Sequence, residues 1–130
     1  MVLLAMLVAA LSACAVVGDR GGLPRQPFDD VPVPESFLPF SNDWAMIRSN
    51  QVIAARLVYM TELSLEAAAD QLTASLKGAG WTPGAVAPIE RAGYTGRALS
   101  FAKGQDTCRA EVMPSGTTTR VDLTIGRVVP

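Results

Sequence analysis

The chain contains no histidine, only two cysteines, and no charged residue before Asp19. Histidine is the usual general base at neutral pH and the commonest metal ligand, so its absence excludes the simplest catalytic and metal-binding arrangements. Neither sign of charge is in large excess, because 11 basic side chains stand against 12 acidic ones. This balance lacks the positive field of a nucleic-acid-binding protein and the negative field of a solvating tail. The 130 residues suffice for one small domain.

An apolar segment opens the chain. Residues Met1 to Val17 are apolar apart from Ser12 and supply much of the positive mean hydropathy of +0.27. A run of this kind that ends in small residues predicts a secretory signal peptide. The basic residues that usually precede such a run are missing, since the first positive charge is Arg20. This favours a start upstream of Met1.

Cys14 follows the apolar run within the motif Leu11-Ser12-Ala13-Cys14. The motif resembles the lipobox of bacterial lipoproteins, where a leucine and two small residues precede an invariant cysteine. The resemblance implies that residues 1–13 are a removed signal peptide. It also implies that Cys14 carries diacylglycerol and a further acyl chain such as palmitate. In that family an aspartate after the cysteine retains the protein at the inner membrane. Ala15 therefore implies the outer membrane, facing the periplasm, in a source with two membranes.

Two other fates of the segment stay open. Ala13-Cys14-Ala15 also fits the A-x-A pattern of ordinary signal cleavage, which would release an exported protein without an anchor. Alternatively, Met1 to Val17 is at the lower limit for an uncleaved membrane span, although its flank lacks a basic stop. A disulfide between Cys14 and Cys108 is possible only if Cys14 escapes lipidation.

The next residues predict a tether and an arm. From Val16 to about Asp29 the chain is rich in glycine, proline and charge, which predicts that residues 14–29 are a lipidated N-terminus and a flexible linker. Asp29-Asp30 lacks the ligand count of a calcium site, so we expect no metal there. Prolines keep the segment from Asp30 to Phe37 extended. We expect it to be an arm packed on its own domain, the alternative being a proline-rich ligand for a partner. Its apolar side chains would lie along the domain surface: Val31, Val33 and Phe37.

Residues 30–130 predict a small α+β domain. Two strand-like runs, Trp44 to Ser49 and Val52 to Met60, flank a turn at Ser49-Asn50-Gln51 and form a hairpin. Three later runs each have one apolar face, which predicts an antiparallel meander. These runs span Arg97 to Lys103, Thr107 to Met113 and Thr119 to Ile125. The inward side chains are Ile53, Ala55, Leu57, Tyr59, Leu99, Phe101, Cys108, Ala110, Val112, Val121, Leu123 and Ile125. The outward side chains of the last two runs are Arg109, Glu111, Arg120, Asp122 and Thr124.

One helix is predicted between the hairpin and the meander. Ser64 is the N-cap, Glu66 lies in the first turn, and Gly78 and Gly80 end the helix. A continuous apolar stripe comprises Leu65, Ala68, Ala69, Leu72, Leu76 and Ala79. The proline- and glycine-containing segment from Trp81 to Gly96 is taken mostly as irregular. The expected fold is a two-layer β-β-α-β-β-β sandwich, an antiparallel sheet of about five strands with one packed helix.

This pattern also resembles a known group. A Val-Pro-Val-Pro arm, a hairpin, an Ala-rich helix ending in Gly80-Trp81 and a meander with one buried cysteine are similar to small bacterial envelope lipoproteins of unassigned function. The similarity covers most of Asp30 to Val129. It implies architecture and location, and it supplies no catalytic or binding residues.

The chemically interesting side chains have structural explanations. Cys108 lies on an apolar strand face without a histidine to activate it, which predicts a buried, inert thiol. The Gly93-Tyr94-Thr95-Gly96 segment is better explained as a strand connection than as a phosphate loop. Trp81 is expected in the core, whereas an exposed Trp44 could anchor a partner. Three acidic residues at helical spacing predict a solvated edge: Glu62, Glu66 and Asp70.

The function expected from the sequence is therefore non-catalytic, with no cofactor and no metal. We expect a membrane-anchored envelope lipoprotein that serves as a protein-interaction or complex-stabilising module, with sheet edges that could accept a partner strand. The alternative is a small lipoprotein that binds a lipid or another hydrophobic molecule in a groove between helix and sheet. An enzyme that uses carboxylates alone is the third and weakest possibility.

Overall fold

A computed structural model describes residues 26–40 and 44–129. The predicted signal peptide, the lipobox with Cys14, and most of the predicted linker lie outside the described residues. Within these described ranges, seven strands and one helix follow in chain order: β1 Leu38–Pro39, β2 Ala45–Arg48, β3 Val52–Thr61, α1 Leu65–Gly78, β4 Thr82–Arg91, β5 Tyr94–Lys103, β6 Asp106–Ser115 and β7 Thr118–Val128.

All seven strands belong to one antiparallel sheet with the order β1-β3-β7-β6-β5-β4. Strand β2 also pairs with β3, so β1 and β2 lie one after the other along the same edge of β3. The α+β class is confirmed, whereas the expected five strands in the order β-β-α-β-β-β are wrong. The two additional strands are β1 and β4.

Strand β4 was missed because its sequence contains prolines and a glycine that normally interrupt strands. Strand β4 tolerates Pro83, Gly84 and Pro88 because it lies at the edge of the sheet. One side of an edge strand has no neighbouring strand, so the backbone N–H that a proline lacks is not required there. The register of β4 against β5 shifts between Pro83 and Val86, which is the irregularity that a proline and a glycine permit.

The predicted strand faces are correct. Alternate side chains of β3, β5, β6 and β7 are buried on one side of the sheet, with Leu57, Ala110 and Leu123 fully buried at its centre. The helix and the arm pack on this side, which we call the covered face. The opposite side, which has Arg56, Glu111 and Asp122 at its centre, is called the open face. Cross-strand partners share a face, so the register assigns every strand residue to one side.

Helix α1 matches its prediction closely. The hydroxyl of Ser64 accepts a hydrogen bond from the Ala67 amide at 3.2 Å, and Glu66 lies in the first turn. Ala79 caps the C-terminus and Gly80 follows with a φ of +93°, a conformation that favours glycine. The stripe faces the sheet: Ala68, Ala69, Leu72 and Leu76 are buried, and Leu65 and Ala79 pack beside them.

The arm packs on its own domain, as expected, but its apolar side chains are part of the core instead of lying along the surface. Val31 and Phe37 are 1% and 0% exposed, and Val33 is also buried. This corrects the expected surface position, since the helix leaves part of the sheet uncovered and the arm fills that space. Phe28, within the segment expected to be linker, is also part of the core cluster. Ser75 and Trp81 hold the arm by donating hydrogen bonds to its backbone carbonyls.

Four charged side chains fix the start of the arm to the sheet. Arg127 binds both carboxylate oxygens of Asp30, at 2.5 and 2.9 Å, and also reaches Asp106 at 3.1 Å. Lys103 lies 3.4 Å from Asp30 and donates to the Ala79 carbonyl at 2.8 Å. Hydrogen bonds from Arg127 hold the pKa of Asp30 below its usual range, although partial burial opposes them. We call this group of Asp30, Lys103, Asp106 and Arg127 the arm clamp.

Candidate interaction surface

The open face is a broad surface formed by five long strands without a second layer among the described residues. Its central rows follow from the register: Arg56, Thr124, Arg109 and Ser100 lie side by side on β3, β7, β6 and β5. The next row contains Val58, Asp122, Glu111 and Ala98. An arginine row thus stands next to a carboxylate row at the middle of the sheet.

Arginine–carboxylate pairs cross the strands diagonally, from one row to another. Arg56 on β3 binds Asp122 on β7 through both Nε, at 3.1 Å, and Nη2, at 2.6 Å. Such fork-shaped contacts fix the relative orientation of the two groups better than a single contact does. Arg120 lies 3.9 Å from Asp122, and its guanidinium is 5.8 Å from the centre of the Phe40 ring. This carboxylate therefore has arginines on two sides.

A second carboxylate is shared in the same way. Glu111 on β6 accepts a hydrogen bond from Arg91 on β4 at 2.8 Å and one from Arg109 at 3.5 Å. The pair with Arg91 spans the intervening strand β5, which carries only Gly96 and Ala98 on the open face between them. Small residues there allow the long Arg91 side chain to reach across. A larger side chain at Gly96 would collide with Met113 and with the Val112 carbonyl.

A shallow groove of about 380 Å³ lies over these pairs. Its lining includes Arg56, Arg91, Glu111, Arg120 and Asp122, with Tyr94, Met113 and Pro114 as its less polar part. Tyr94 is 57% exposed, so its ring is accessible to a ligand in the groove. We call this feature the arginine groove. It combines charged donors with an aromatic wall, as interaction surfaces often do.

Apolar side chains continue the open face toward the opposite end of the strands. Val52 and Val128 are cross-strand partners, and Ile47 lies in the neighbouring row with Ala54. Ile47 is 70% exposed and the two valines are also exposed. The open face therefore has a polar groove at one end and three exposed apolar side chains at the corner formed by β2, β3 and β7.

A second groove lies at the end of β3 and has a volume of about 650 Å³. Leu38, Met60 and Leu63 form its apolar wall, and Ser36 and Glu62 are at its rim. It is a wide depression outside the core and does not run between the helix and the covered face. The space between helix and sheet, where the alternative ligand-binding function would place its groove, is filled by fully buried side chains such as Leu72, Leu76 and Tyr59.

The other predicted positions fall in separate places. Cys108 has a free thiol and is buried, and burial raises its pKa to about 12, so it stays protonated at physiological pH. Glu66 pairs with Arg97 at 2.9 Å, whereas Glu62 borders the wide groove and Asp70 is exposed on the helix. The acidic edge is solvated, as predicted.

The two tryptophans differ in exposure, and the glycine segment forms a turn between strands. Trp44 is 40% exposed and immediately precedes β2, and Trp81 is buried as predicted. Gly93 has a φ of +81° and, with Ala92, forms the tight turn between β4 and β5. The connecting loop is shorter than expected, because Tyr94 to Gly96 already belong to β5.

The described residues have neither a metal-binding cluster nor a membrane-spanning helix. No three of their cysteine, aspartate and glutamate side chains are grouped so as to hold an ion. No helix within residues 26–40 and 44–129 is long and apolar enough to cross a bilayer.

Sequence reasoning missed the arginine groove, although part of its signal was present. The outward face of the meander was predicted correctly for four charged residues that alternate with core residues: Arg109, Glu111, Arg120 and Asp122. Arg91 was in a segment expected to be irregular. The pairing of these groups depends on strand register, which a pattern of alternation does not specify.

Comparisons of the chain with protein-family models, with curated proteins and with solved structures gave no significant match.

Proposed function

We propose that this protein is a non-catalytic, lipid-anchored envelope protein that binds another protein through the open face of its sheet. The observation that carries this proposal is the open face itself, an extended surface with a polar groove at one end and exposed apolar side chains at the other. Large exposed apolar side chains next to ordered charged groups are typical of protein-binding surfaces.

Strand addition at a sheet edge is a less favoured binding mode. Edge strand β4 contains Pro83, Pro88 and a register shift, features that hinder pairing with a further strand. The opposite edge is divided between the short strands β1 and β2. Contact through the open face requires no free edge.

The anchoring part of the proposal depends on Cys14. Three acyl chains would attach the protein essentially permanently, because each buried methylene contributes about 0.8 kcal/mol. The intact mass of protein extracted from membranes of its own source tests this directly. A chain that begins at Cys14 and carries diacylglycerol plus an acyl group is expected. An unmodified chain that begins at Val16, or one that retains Met1, would contradict lipidation.

Site-specific photo-crosslinking tests the binding surface. A photoreactive residue at Thr124, which is exposed in the central row of the open face, is compared with one at Gln71 on the outer side of the helix. We expect one defined protein, identified by mass spectrometry, to crosslink from Thr124 and not from Gln71. The purified partner should then bind the unmodified protein but not Thr124→Trp, whose indole would obstruct the surface. Equal crosslinking from both positions, or equal binding of Thr124→Trp, would reject the open face as the interface.

The wide groove supports a second function, binding of a hydrophobic molecule. Its apolar wall of Leu38, Met60 and Leu63 is the observation that favours it. Native mass spectrometry of the purified protein would reveal a bound small molecule as added mass, and Met60→Lys should remove it. Unchanged mass under gentle conditions would leave the protein-binding function as the better supported one.

A further inference from the structure

We propose that the arginine groove binds an acidic segment of the partner protein, whose carboxylates bind Arg91 and Arg109 in place of Glu111. The inference rests on the proposed protein-binding function and specifies the chemistry of the partner.

The first argument is the sharing of a single carboxylate. Arg91 and Arg109 both approach the same oxygen of Glu111, Oε1, at 2.8 and 3.5 Å. Each guanidinium has five N–H donors, so one carboxylate cannot satisfy two arginines. Both arginine side chains are more than half exposed, whereas that of Glu111 is 28% exposed. Arg91 also donates from Nη1 to the Glu90 carbonyl at 3.1 Å, and the other donors of the two arginines are accessible to a ligand in solution.

The second argument is the local balance of charge. Around Glu111, two arginines stand against one carboxylate, because Arg91 and Arg109 both pair with it. The whole chain has a net charge of −1, so this positive patch is local and not a reflection of overall composition. An acidic ligand is complementary to such a patch.

The third argument distinguishes a peptide from a membrane surface. Arg56 already binds a side-chain carboxylate in a fork on this face, so carboxylate recognition is geometrically suited to the sheet. Arg120 lies seven residues before Arg127 on β7, which places the groove about 23 Å along the strand from the arm clamp. Under the proposed anchor the arm is the part of the domain attached to the tether. The groove is therefore at the end remote from the attachment point.

The probe is a fluorescein-labelled peptide of alternating glutamate and serine, and its matched control has glutamine in place of glutamate. Binding to the full-length protein in detergent is measured by fluorescence anisotropy at low ionic strength, where charge interactions are least screened. We expect the glutamate peptide to bind and the glutamine peptide not to bind. Added salt should weaken the binding.

Three variants identify the groups responsible. Replacing both arginines with glutamine, Arg91→Gln with Arg109→Gln, should weaken binding about tenfold, since each exposed charge pair accounts for about threefold. Glu111→Gln should strengthen binding about threefold, because it removes the internal carboxylate that competes with the ligand. Arg48→Gln, an exposed arginine on the edge strand β2, is the control and should have no effect. Thermal unfolding confirms that each variant is folded.

A gain in affinity on Glu111→Gln is the decisive result, because a purely structural role for Glu111 would not produce it. Unchanged or weaker binding by that variant, or equal binding of the glutamine peptide, would overturn the proposal. Absence of glutamate-peptide binding, together with binding to mixed micelles of detergent and anionic phospholipid that Arg91→Gln with Arg109→Gln abolishes, would identify a membrane surface instead. If the peptide results are negative while crosslinking from Thr124 persists, the acidic chemistry is wrong and the protein-binding function remains. If crosslinking is absent as well, both fail.

Discussion

The arm clamp yields a quantitative prediction about stability. Substituting Asp30 with asparagine retains the shape of the side chain but removes the charge that Arg127 and Lys103 contact. Charged hydrogen bonds contribute about 1.5–3 kcal/mol when they are shielded, and exposed ion pairs contribute at most about 1 kcal/mol. The side chains of Asp30 and Arg127 are 23% and 24% exposed, which places them between these cases. We expect Asp30→Asn to lower the free energy of unfolding by about 2 kcal/mol.

The pH dependence tests the cause of that loss. The pKa of Asp30 is lowered in the folded protein from its usual 3.8, so the folded state favours the ionised carboxyl. Its stabilising contribution is therefore complete above about pH 5 and is lost as the pH falls through the folded pKa. The difference between the unsubstituted protein and Asp30→Asn should be largest at pH 7 and should shrink progressively below pH 4.

Urea denaturation at pH 7 and pH 3 measures this difference, with thermal unfolding as a second method. A loss of about 2 kcal/mol corresponds to roughly 10 °C for a domain of about 100 residues. Asp70→Asn, at an exposed helix position, is the matched control and should change little. A loss equal at both pH values would show that the carboxylate charge is not responsible. No loss at pH 7 would show that the arm clamp does not stabilise the fold.

Two further pairs of substitutions, each a variant and its control, test the packing of the sheet. Leu123→Asp places a charge at a fully buried site and should unfold the domain. Its control, Thr124→Asp on the open face, should change the free energy of unfolding by less than about 0.5 kcal/mol. Circular dichroism during urea denaturation measures both. A Leu123→Asp protein that melts like its parent would mean that the two faces of the sheet are reversed. Gly96→Ala should cost about 3 kcal/mol in the same assay, because the added methyl would collide with the Val112 carbonyl, which is backbone and has little freedom to move. Gly78→Ala, which has open space around it, should instead stabilise the helix by about 0.5–1 kcal/mol, and equal effects at the two glycines would contradict the close approach at Gly96.

The prediction of local structure succeeded where one residue pattern specified one conformation. Ser64 was identified as the helix cap because its side-chain oxygen can accept from an amide three residues on, and it does so. The prediction failed at β4, whose prolines are compatible with a strand only because it lies at a sheet edge. An edge position is a property of the assembled sheet and has no local signature. The lipobox at Cys14 stays a prediction.

The burial of the arm shows the same limit. Pro32 and Pro34 correctly indicated an extended chain, but whether Val31 and Phe37 would be surface or core depended on how much of the sheet a 14-residue helix can cover. The helix leaves apolar area unoccupied, and the hydrophobic effect favours filling it with the arm. Asp30 was expected to begin the extended arm and, with Asp29, to lack the ligands of a calcium site. Its ion pair with Arg127, 97 residues away, was not foreseeable.

By itself the sequence determined the helix, its cap and the two faces of the long strands, since alternation with a period of two places apolar side chains on one side. It also determined that Arg109, Glu111, Arg120 and Asp122 point outward. Tertiary structure alone decided which of them meet. The register brings Arg56 to Asp122 across 66 residues, and the small residues of β5 let Arg91 reach Glu111 from two strands away. Register is set by the packing of the whole sheet. The candidate site is therefore a property of the fold, assembled from residues that the sequence marked only as exposed.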